Sequence, residues 1–554
     1  MKLTALTPFG AIPNERQLLH YSIGKKAFFH VGVNTFTDVE HGNGKEDSTL
    51  FAPTDADVDS WVRTARDAGF GLAILVCKHH DGFCLWPTAS TEHCIRNSPY
   101  RDGQGDMVRE FADACKKYGL YMGVYLSPWD MHTDLYGTPA YNDYYITQLT
   151  ELLTGYGPIH EVWWDGCGSV GGNLDVARYT ETVRRLQPDA AIFGALGAAD
   201  FVDLRWCGNE AGKVADTHYA SIDRDMIRVE DNYVLNRGTY GASAYVPAEV
   251  DTSIRPGWFY HPSQDGKVKS EEVLNRLWFS SVGRNAHMLL NFPVDRRGRI
   301  PDTDRAHAIA SHETVSRMLA TDFVTDAFVC ADSVYDEQHA PACVAAQTDG
   351  FYLSAETTAV LHVTLPEEKT VNVLDIGEEV TLGERIASLT LEAIDEDGSA
   401  RILCEATSVG YRRAVLFDAC TVRRLRLTLR GQACPTVRTL SLRFFDGSIE
   451  DPATARGANL VASPEARVTV AEDRCSAVLN FGGIYPFRKV TCRVGGMGRF
   501  TVEAFDGFSF YRVYEGYALS EEPEVFLDEE IDGSYQIRIV TERPFAEDPA
   551  FYVG

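Results

Sequence analysis

The segment Glu161-Val162-Trp163-Trp164-Asp165-Gly166 sets an acid beside two indoles at the end of an apolar, β-forming run. An indole face stacks on the C–H face of a pyranose, and a carboxylate at the C-terminal lip of a strand can reach an anomeric carbon. The same letters also fit a packed strand closed by an Asp-Gly turn. A second polar break follows another apolar run, in Ile74-Leu75-Val76-Cys77-Lys78-His79-His80-Asp81-Gly82-Phe83. A neutral imidazole offers one donor and one acceptor, which suits sugar hydroxyls. A metal site built from His79, His80 and Asp81 is the less favoured reading, because neighbouring strand residues point to opposite faces.

Positioning these groups falls to an alternation of strands and helices between about residues 26 and 320. The first strand is expected over Phe28 to Val33. A helix with Val58, Trp61, Val62, Ala65 and Ala68 on one face follows, stopped at Gly69 before a strand over Leu72 to Val76. Val108, Phe111, Ala112 and Cys115 stripe another helix, Gly119 ends it, and Leu120 to Tyr125 reads as a strand. A third helix carrying Ile146, Leu149, Leu152 and Leu153 leads into the strand that ends at Asp165. Strands over 191–194 and 202–206, a helix over 270–282 and a strand over 288–292 complete the pattern. It predicts an α/β fold, a distorted (β/α)8 TIM-like barrel, with His30, His79, Asp165 and Glu210 at the strands' C-terminal lips.

Beyond residue 325 the helical spacing gives way to short alternating runs such as Leu425 to Leu429 and Val437 to Leu442, which predict antiparallel β-sandwich domains. The expected division is a catalytic barrel over 1–325, a β-sandwich domain over 326–446 and a second C-terminal β domain over 447–554, with the boundary at Asp446-Gly447-Ser448. The aromatics Phe505, Phe508, Phe510, Tyr511, Tyr514 and Tyr517 are read as strand core ahead of a glycan platform.

The 554-residue length and 45% hydrophobic content support two or three packed units. A formal charge of -27 argues against nucleic acid or an anionic membrane surface as partner and favours a neutral substrate. The opening residues lack the apolar core of a secretory signal, so a cytoplasmic location is expected. The 13 cysteines show no close-spaced pairs of the kind that grip zinc and are expected as reduced, largely buried thiols.

Taken in order, several motifs resemble the α-L-fucosidases of glycoside hydrolase family 29. They are His30-Val31-Gly32-Val33-Asn34-Thr35-Phe36-Thr37-Asp38, Lys78 to Pro87, Gly123 to Asp130, Tyr156-Gly157-Pro158 and Trp163-Trp164-Asp165-Gly166. The segments Arg205 to Gly212 and Glu249 to Tyr260 resemble the branch that acts on α-1,3 and α-1,4 fucosyl linkages. This resemblance implies Asp165 as nucleophile and Glu210 as acid/base, with His30, Glu40, His79, His80, Trp163 and Trp258 around the sugar. Tyr125 and Arg255, in the same motifs, join the expected substrate-binding set. One departure is visible: His41 stands where the pattern leads one to expect Trp.

The implied function is a retaining exo-α-L-fucosidase acting on fucosylated oligosaccharides or glycans, with no cofactor or metal called for. A fucosidase of broader linkage specificity and a non-catalytic carbohydrate-binding protein are the alternatives. The chemistry itself asks for one carboxyl to attack and another to protonate the leaving oxygen, roughly 5 to 5.5 Å apart for retention. A neighbouring negative charge helps keep the second acid protonated.

Overall fold

The computed structural model describes residues 6–169, 172–194, 198–345, 348–449, 466–492, 499–505, 510–517, 524–544 and 551–553. Eight strands form one parallel sheet: β1 Lys25–His30, β2 Leu72–Lys78, β3 Tyr121–Leu126, β4 Glu161–Trp164, β5 Ala191–Gly194, β6 Arg205–Trp206, β7 Ala248–Ser253 and β8 His287–Pro293. Their order is β5-β4-β3-β2-β1-β8-β7-β6. A parallel bridge from Phe193 to Leu204 brings the two ends together, so the sheet is a nearly closed barrel.

Parallel neighbours require crossovers, and helices supply them. After α1 Glu15–Ile23 come α2 Val58–Asp67, α3 Met107–Tyr118, α4 Pro139–Gly155, α5 Val176–Leu186, α6 Glu271–Ser280 and α7 Asp302–Leu319. The side chains of Asp57 and Asp106 accept backbone N–H groups in the first turns of α2 and α3, and Gly119 ends α3 at φ 72°. Val108, Phe111, Ala112 and Cys115 are buried against the barrel as their spacing predicts. Each large apolar side chain buried in this layer contributes about 1.5–3 kcal/mol.

Inside the barrel, Phe28, Ile74, Tyr125, Trp163, Phe193 and Leu289 fill the lumen beneath the strand lips. Lower still is a charged plug in which Lys26 Nζ lies 2.8 Å from Glu161 and also donates to Glu249. Burial opposes the Lys26 ammonium, but the two acids hold it and raise its pKa. Trp163 Nε1 donates to Glu249 across 2.9 Å, which ties the plug to an aromatic at the site above.

Several boundaries differ from expectation. The first strand runs from Lys25 to His30, and Val33–Thr37 is a helical turn. Two lysines open this strand because Lys26 is neutralised inside the barrel, a pairing no local pattern announces. The strand expected over 202–206 shortens to Arg205–Trp206, since Asp203 turns aside to accept from Arg16, Arg184 and Asn14. The helix expected over 270–282 begins one residue later, with Ser270 as its cap, and ends at Ser280.

The C-terminal portion consists of antiparallel sheets. Thr358–Gly377 pairs with Arg413–Arg430 over a core that includes Leu361, Leu374, Leu427 and Leu429. The run expected over 437–442 divides into Thr436–Val437 and Thr439–Arg443, between which Arg438 reaches Glu379 at 2.7 Å. Glu384 fixes this sheet to the barrel by accepting from the N–H groups of Ala220 and Ser221, each at 2.9 Å, and Tyr21 stacks on Tyr411. In a further sheet Glu524–Thr541 lies between Ser476–Cys492 and Arg499–Phe505 and pairs antiparallel with both. Tyr511 and Tyr514 pack against its core, and Phe505 meets Phe510 at 5.0 Å. Phe508 and the side chain of Tyr517 lie outside the described residues.

Candidate active site

A cavity of about 520 Å³ opens at the C-terminal ends of the barrel strands, and both Asp165 and Glu210 line it. Asp165 follows β4 directly. Its Oδ1 accepts the Cys167 N–H at 2.8 Å, and its Oδ2 accepts the Tyr125 hydroxyl at 2.9 Å, so both carboxylate oxygens are oriented from the protein side. Burial, then the Asp165 charge, pushes the Tyr125 phenol well above its usual range and keeps it a donor. Gly168 sits at φ +65° with a side-chain position that would fall on Trp129, 2.0 Å from its ring, so the turn after the acid accepts no larger residue without displacing that indole.

Glu210 lies on the loop after β6. Its Oε2 accepts Trp258 Nε1 at 3.2 Å. The loop is held from below by the fully buried Arg205, whose guanidinium donates to the carbonyls of Tyr219, Ala220, Val246 and Leu235. An acid 45 positions beyond Asp165 (210 minus 165) thus lines the same cavity.

Hydrogen-bond partners set the tautomers of His30 and His80. Asn291 spends its amide donors on Ser253 Oγ at 2.9 Å and the Trp258 carbonyl at 2.8 Å, so its Oδ1 must accept from His30 Nδ1, 2.8 Å away. Nε2 of His30 is therefore an acceptor. By the same logic the Ser127 hydroxyl donates to the Trp129 carbonyl at 2.6 Å and accepts from His80 Nδ1 at 2.7 Å. His80 Nε2 is left as an acceptor, 3.7 Å from Asp165 Oδ2. Burial lowers His30 and His80 to about 4 despite the nearby Asp165 charge. His79 is lowered further by burial and by the neighbouring imidazoles, and its ring lies parallel to Tyr125.

Glu40 enters from the loop after β1. Its Oε2 accepts the N–H groups of Trp258 and Phe259 at 3.1 and 3.3 Å, and its Oε1 meets His261 Nε2 at 2.6 Å. Gly257 makes this approach possible, because a Cβ there would sit 2.3 Å from Glu40 Oε1. His261 Nδ1 faces Asp38 at 2.8 Å. Burial lowers the His261 pKa, but hydrogen bonds to Asp38 and Glu40 outweigh it and leave the group above its ordinary value. Aromatic faces complete the wall: Trp163 stacks on Phe193 at 4.0 Å, and Trp206 Nε1 donates to Asp251 at 3.0 Å.

Of the residues singled out from sequence, His30, Glu40, His79, His80, Tyr125, Trp163, Asp165, Glu210 and Trp258 all line this one cavity. Arg255 does not. Its guanidinium is buried and clamped by Asp304 at 2.7 and 2.9 Å and by Asp265 at 2.8 Å, so it braces the β7 loop from behind the site. Asp81 also turns away from the histidines, to Asn34 Nδ2 at 2.9 Å and the Phe83 N–H at 2.7 Å, which removes the carboxylate from a His79–His80 metal site. Trp206 and Asp251, within the segments Arg205 to Gly212 and Glu249 to Tyr260, line the cavity as well. Asn291 and His261 carried no local signal, since each acts through a partner more than two hundred positions away.

A carboxylate held by two donors, a second carboxyl across the same cavity and acceptor imidazoles between aromatic faces can bind and cleave a glycoside. Residues 29–311 match the family model described as alpha-L-fucosidase. Alpha-L-fucosidase 1 of Arabidopsis thaliana is 37% identical over 461 residues, covering 80% of this chain and 89% of its own. The fold resembles the crystal structure of a glycoside hydrolase 29 family member from an unknown rumen bacterium, with TM-score 0.72 and 28% identity over 99% of this chain and 100% of that one. It also resembles a Ruminococcus gnavus GH29 fucosidase in complex with fucose, with TM-score 0.74 and 26% identity over 80% and 97% of the two chains. Motifs, cavity and relatives agree, and the chain belongs to the α-L-fucosidase family.

Proposed function

We propose that this α-L-fucosidase is exo-acting and retaining, and that it releases α-1,3- and α-1,4-linked L-fucose from oligosaccharides or glycans. The observation that carries the mechanism is the contrast between the two acids. Asp165 accepts hydrogen bonds on both oxygens from Tyr125 and Cys167, an arrangement that orients the nucleophile. Glu210 stands across the cavity beside Trp258.

In the first step an Asp165 oxygen bonds to C1 of fucose as the glycosidic bond breaks, and the departing oxygen takes the proton of Glu210. The Asp165 charge disappears when the ester forms, and the deprotonated Glu210 is left to act as base. Glu210 then removes a proton from water, the water oxygen bonds to C1, and Asp165 leaves as carboxylate. His30 and His80 accept hydrogen bonds from sugar hydroxyls through Nε2, while Trp163 and Trp258 bound the apolar side of the ring.

The linkage preference is supported by the placement of two segments. Arg205 to Gly212 and Glu249 to Tyr260 contribute Trp206, Glu210, Asp251 and Trp258 to the cavity wall, so the motifs that resemble the α-1,3/1,4 branch lie against the substrate space. Proton NMR of the first-formed fucose tests the stereochemistry: the α anomer is expected, and an initial β anomer overturns the retaining mechanism. Product analysis on linkage-defined oligosaccharides tests the rest. Fucose linked α-1,3 or α-1,4 to GlcNAc should be released far faster than α-1,2-linked fucose or an aryl fucoside, with Asp165→Ala as the inactive control. Equal rates would remove the linkage preference and retain the reaction.

A further inference from the structure

Three soft or borderline donors meet at the mouth of the cavity. His41 comes from the loop after β1, His80 from the end of β2 and Cys167 from the turn after β4, and their donor atoms all lie within 4.8 Å of one another. We propose that His41, His80 and Cys167 form an inhibitory binding site for a borderline-soft divalent cation of the zinc class.

The donor set selects the ion. Two imidazole nitrogens and one thiolate suit Zn²⁺ and discriminate against Mg²⁺ and Ca²⁺, which take oxygen ligands. Tetrahedral N and S ligands of zinc stand roughly 3.3–3.7 Å apart, so closure calls for a small rotation. His41 and Cys167, which are half-buried, would make it, whereas His80 is buried and held by Ser127. That fixity resembles a metal-ligand arrangement: Ser127 Oγ accepts the hydrogen bond of the Nδ1–H group, and the Nε2 lone pair is presented on the cavity side. On binding, the Cys167 thiol gives its proton to solvent and its sulfur becomes the third ligand, which leaves a fourth position for water.

Inhibition follows from place. An ion at this point removes His80 Nε2 from the sugar. It also sets a double positive charge beside Asp165, whose Oδ2 is 3.7 Å from that nitrogen, and so weakens the carboxylate as a nucleophile. The inhibitory consequence rests on the fucosidase reading of the cavity; the metal site does not.

Cobalt(II) separates the two. Chelator-treated, full-length protein titrated with one equivalent of Co²⁺ is expected to develop a thiolate-to-cobalt charge-transfer band in the near ultraviolet, absent from Cys167→Ser and weakened in His41→Asn. With Zn²⁺, fucose release should fall competitively, and each variant, compared with its own metal-free rate, should need roughly 10- to 100-fold more zinc for half-inhibition. No cobalt band, or one that persists in Cys167→Ser, overturns the site. A band with undiminished hydrolysis overturns its inhibitory role. Absence of fucosidase activity in the metal-free protein would instead sink the reaction assignment and leave the cobalt spectrum to decide the site.

Discussion

The Tyr125 hydroxyl donates to Oδ2 of Asp165 across 2.9 Å, linking adjacent barrel strands at the acid proposed to attack the sugar. The bond orients the carboxylate. Without it the acid retains the Cys167 N–H on its other oxygen but loses its fix in rotation. Tyr125→Phe should lower kcat by roughly 10- to 100-fold, equivalent to about 1.5–3 kcal/mol for a hydrogen bond to a charged group, with a much smaller change in KM. Steady-state kinetics on an α-1,3/1,4-linked substrate provide the check. A kcat within twofold of the parent would show that the hydroxyl is dispensable.

His261 links Glu40 and Asp38, and their hydrogen bonds raise its pKa above the ordinary 6.5 against the effect of burial. Below 6.5 the imidazolium donates to both carboxylates in full. As the pH rises through the raised value, one donor is lost and one acid loses its partner. The same direction holds for stability, whose contribution from this group is present below 6.5 and fades as the pH climbs. Because Glu40 is expected at the sugar, KM should rise by roughly three- to tenfold across this alkaline step while kcat changes less. In His261→Gln the step should vanish and KM should be high throughout. An unchanged KM profile in that variant would rule out the linkage.

Lys26 is buried between Glu161 and Glu249 in the barrel floor. Burial, with Glu249 beside it, pushes the Glu161 carboxyl well above the usual range, so the lysine serves chiefly to hold the remaining charge. Lys26→Met removes the cation and leaves an uncompensated acid in an apolar lumen. The expected destabilisation is about 3–5 kcal/mol, read from denaturant unfolding, and adding Glu249→Gln should recover part of it. A loss below about 1 kcal/mol would mean that water reaches the plug.

These cases divide according to how far each interaction travels along the chain. The barrel was legible because helix stripes such as Val108, Phe111, Ala112 and Cys115 and their glycine stops are local patterns. Asp165, His79 and His80 were legible because each breaks an apolar run at a strand end. Lys26 hid the start of β1, since a charged residue is apolar in effect only when Glu161 and Glu249 arrive from other strands. Arg255 was misread for the opposite reason: it neighbours the site in sequence, but Asp304, 49 positions on, claims its guanidinium. His261 and Asn291 were missed because their roles are assigned by partners, not by their own surroundings in the chain.

Asn291 offers the most discriminating test of that partner logic. Its amide oxygen fixes the proton of His30 on Nδ1, and burial lowers the ring's pKa to about 4, which leaves Nε2 an acceptor for the role proposed for it at the sugar. Asn291→Asp would still accept from Nδ1, but its carboxylate would favour the imidazolium and raise the His30 pKa towards neutrality. Below that new value Nε2 carries a proton and can no longer accept. The variant should therefore gain an acidic limb in kcat/KM that the parent lacks, with activity recovering as the pH rises. Asn291→Leu leaves the tautomer unspecified and should lose roughly 10- to 100-fold in kcat/KM at every pH without a new limb. If both variants showed the parental pH profile and rate, His30 could not be acting through an unprotonated Nε2.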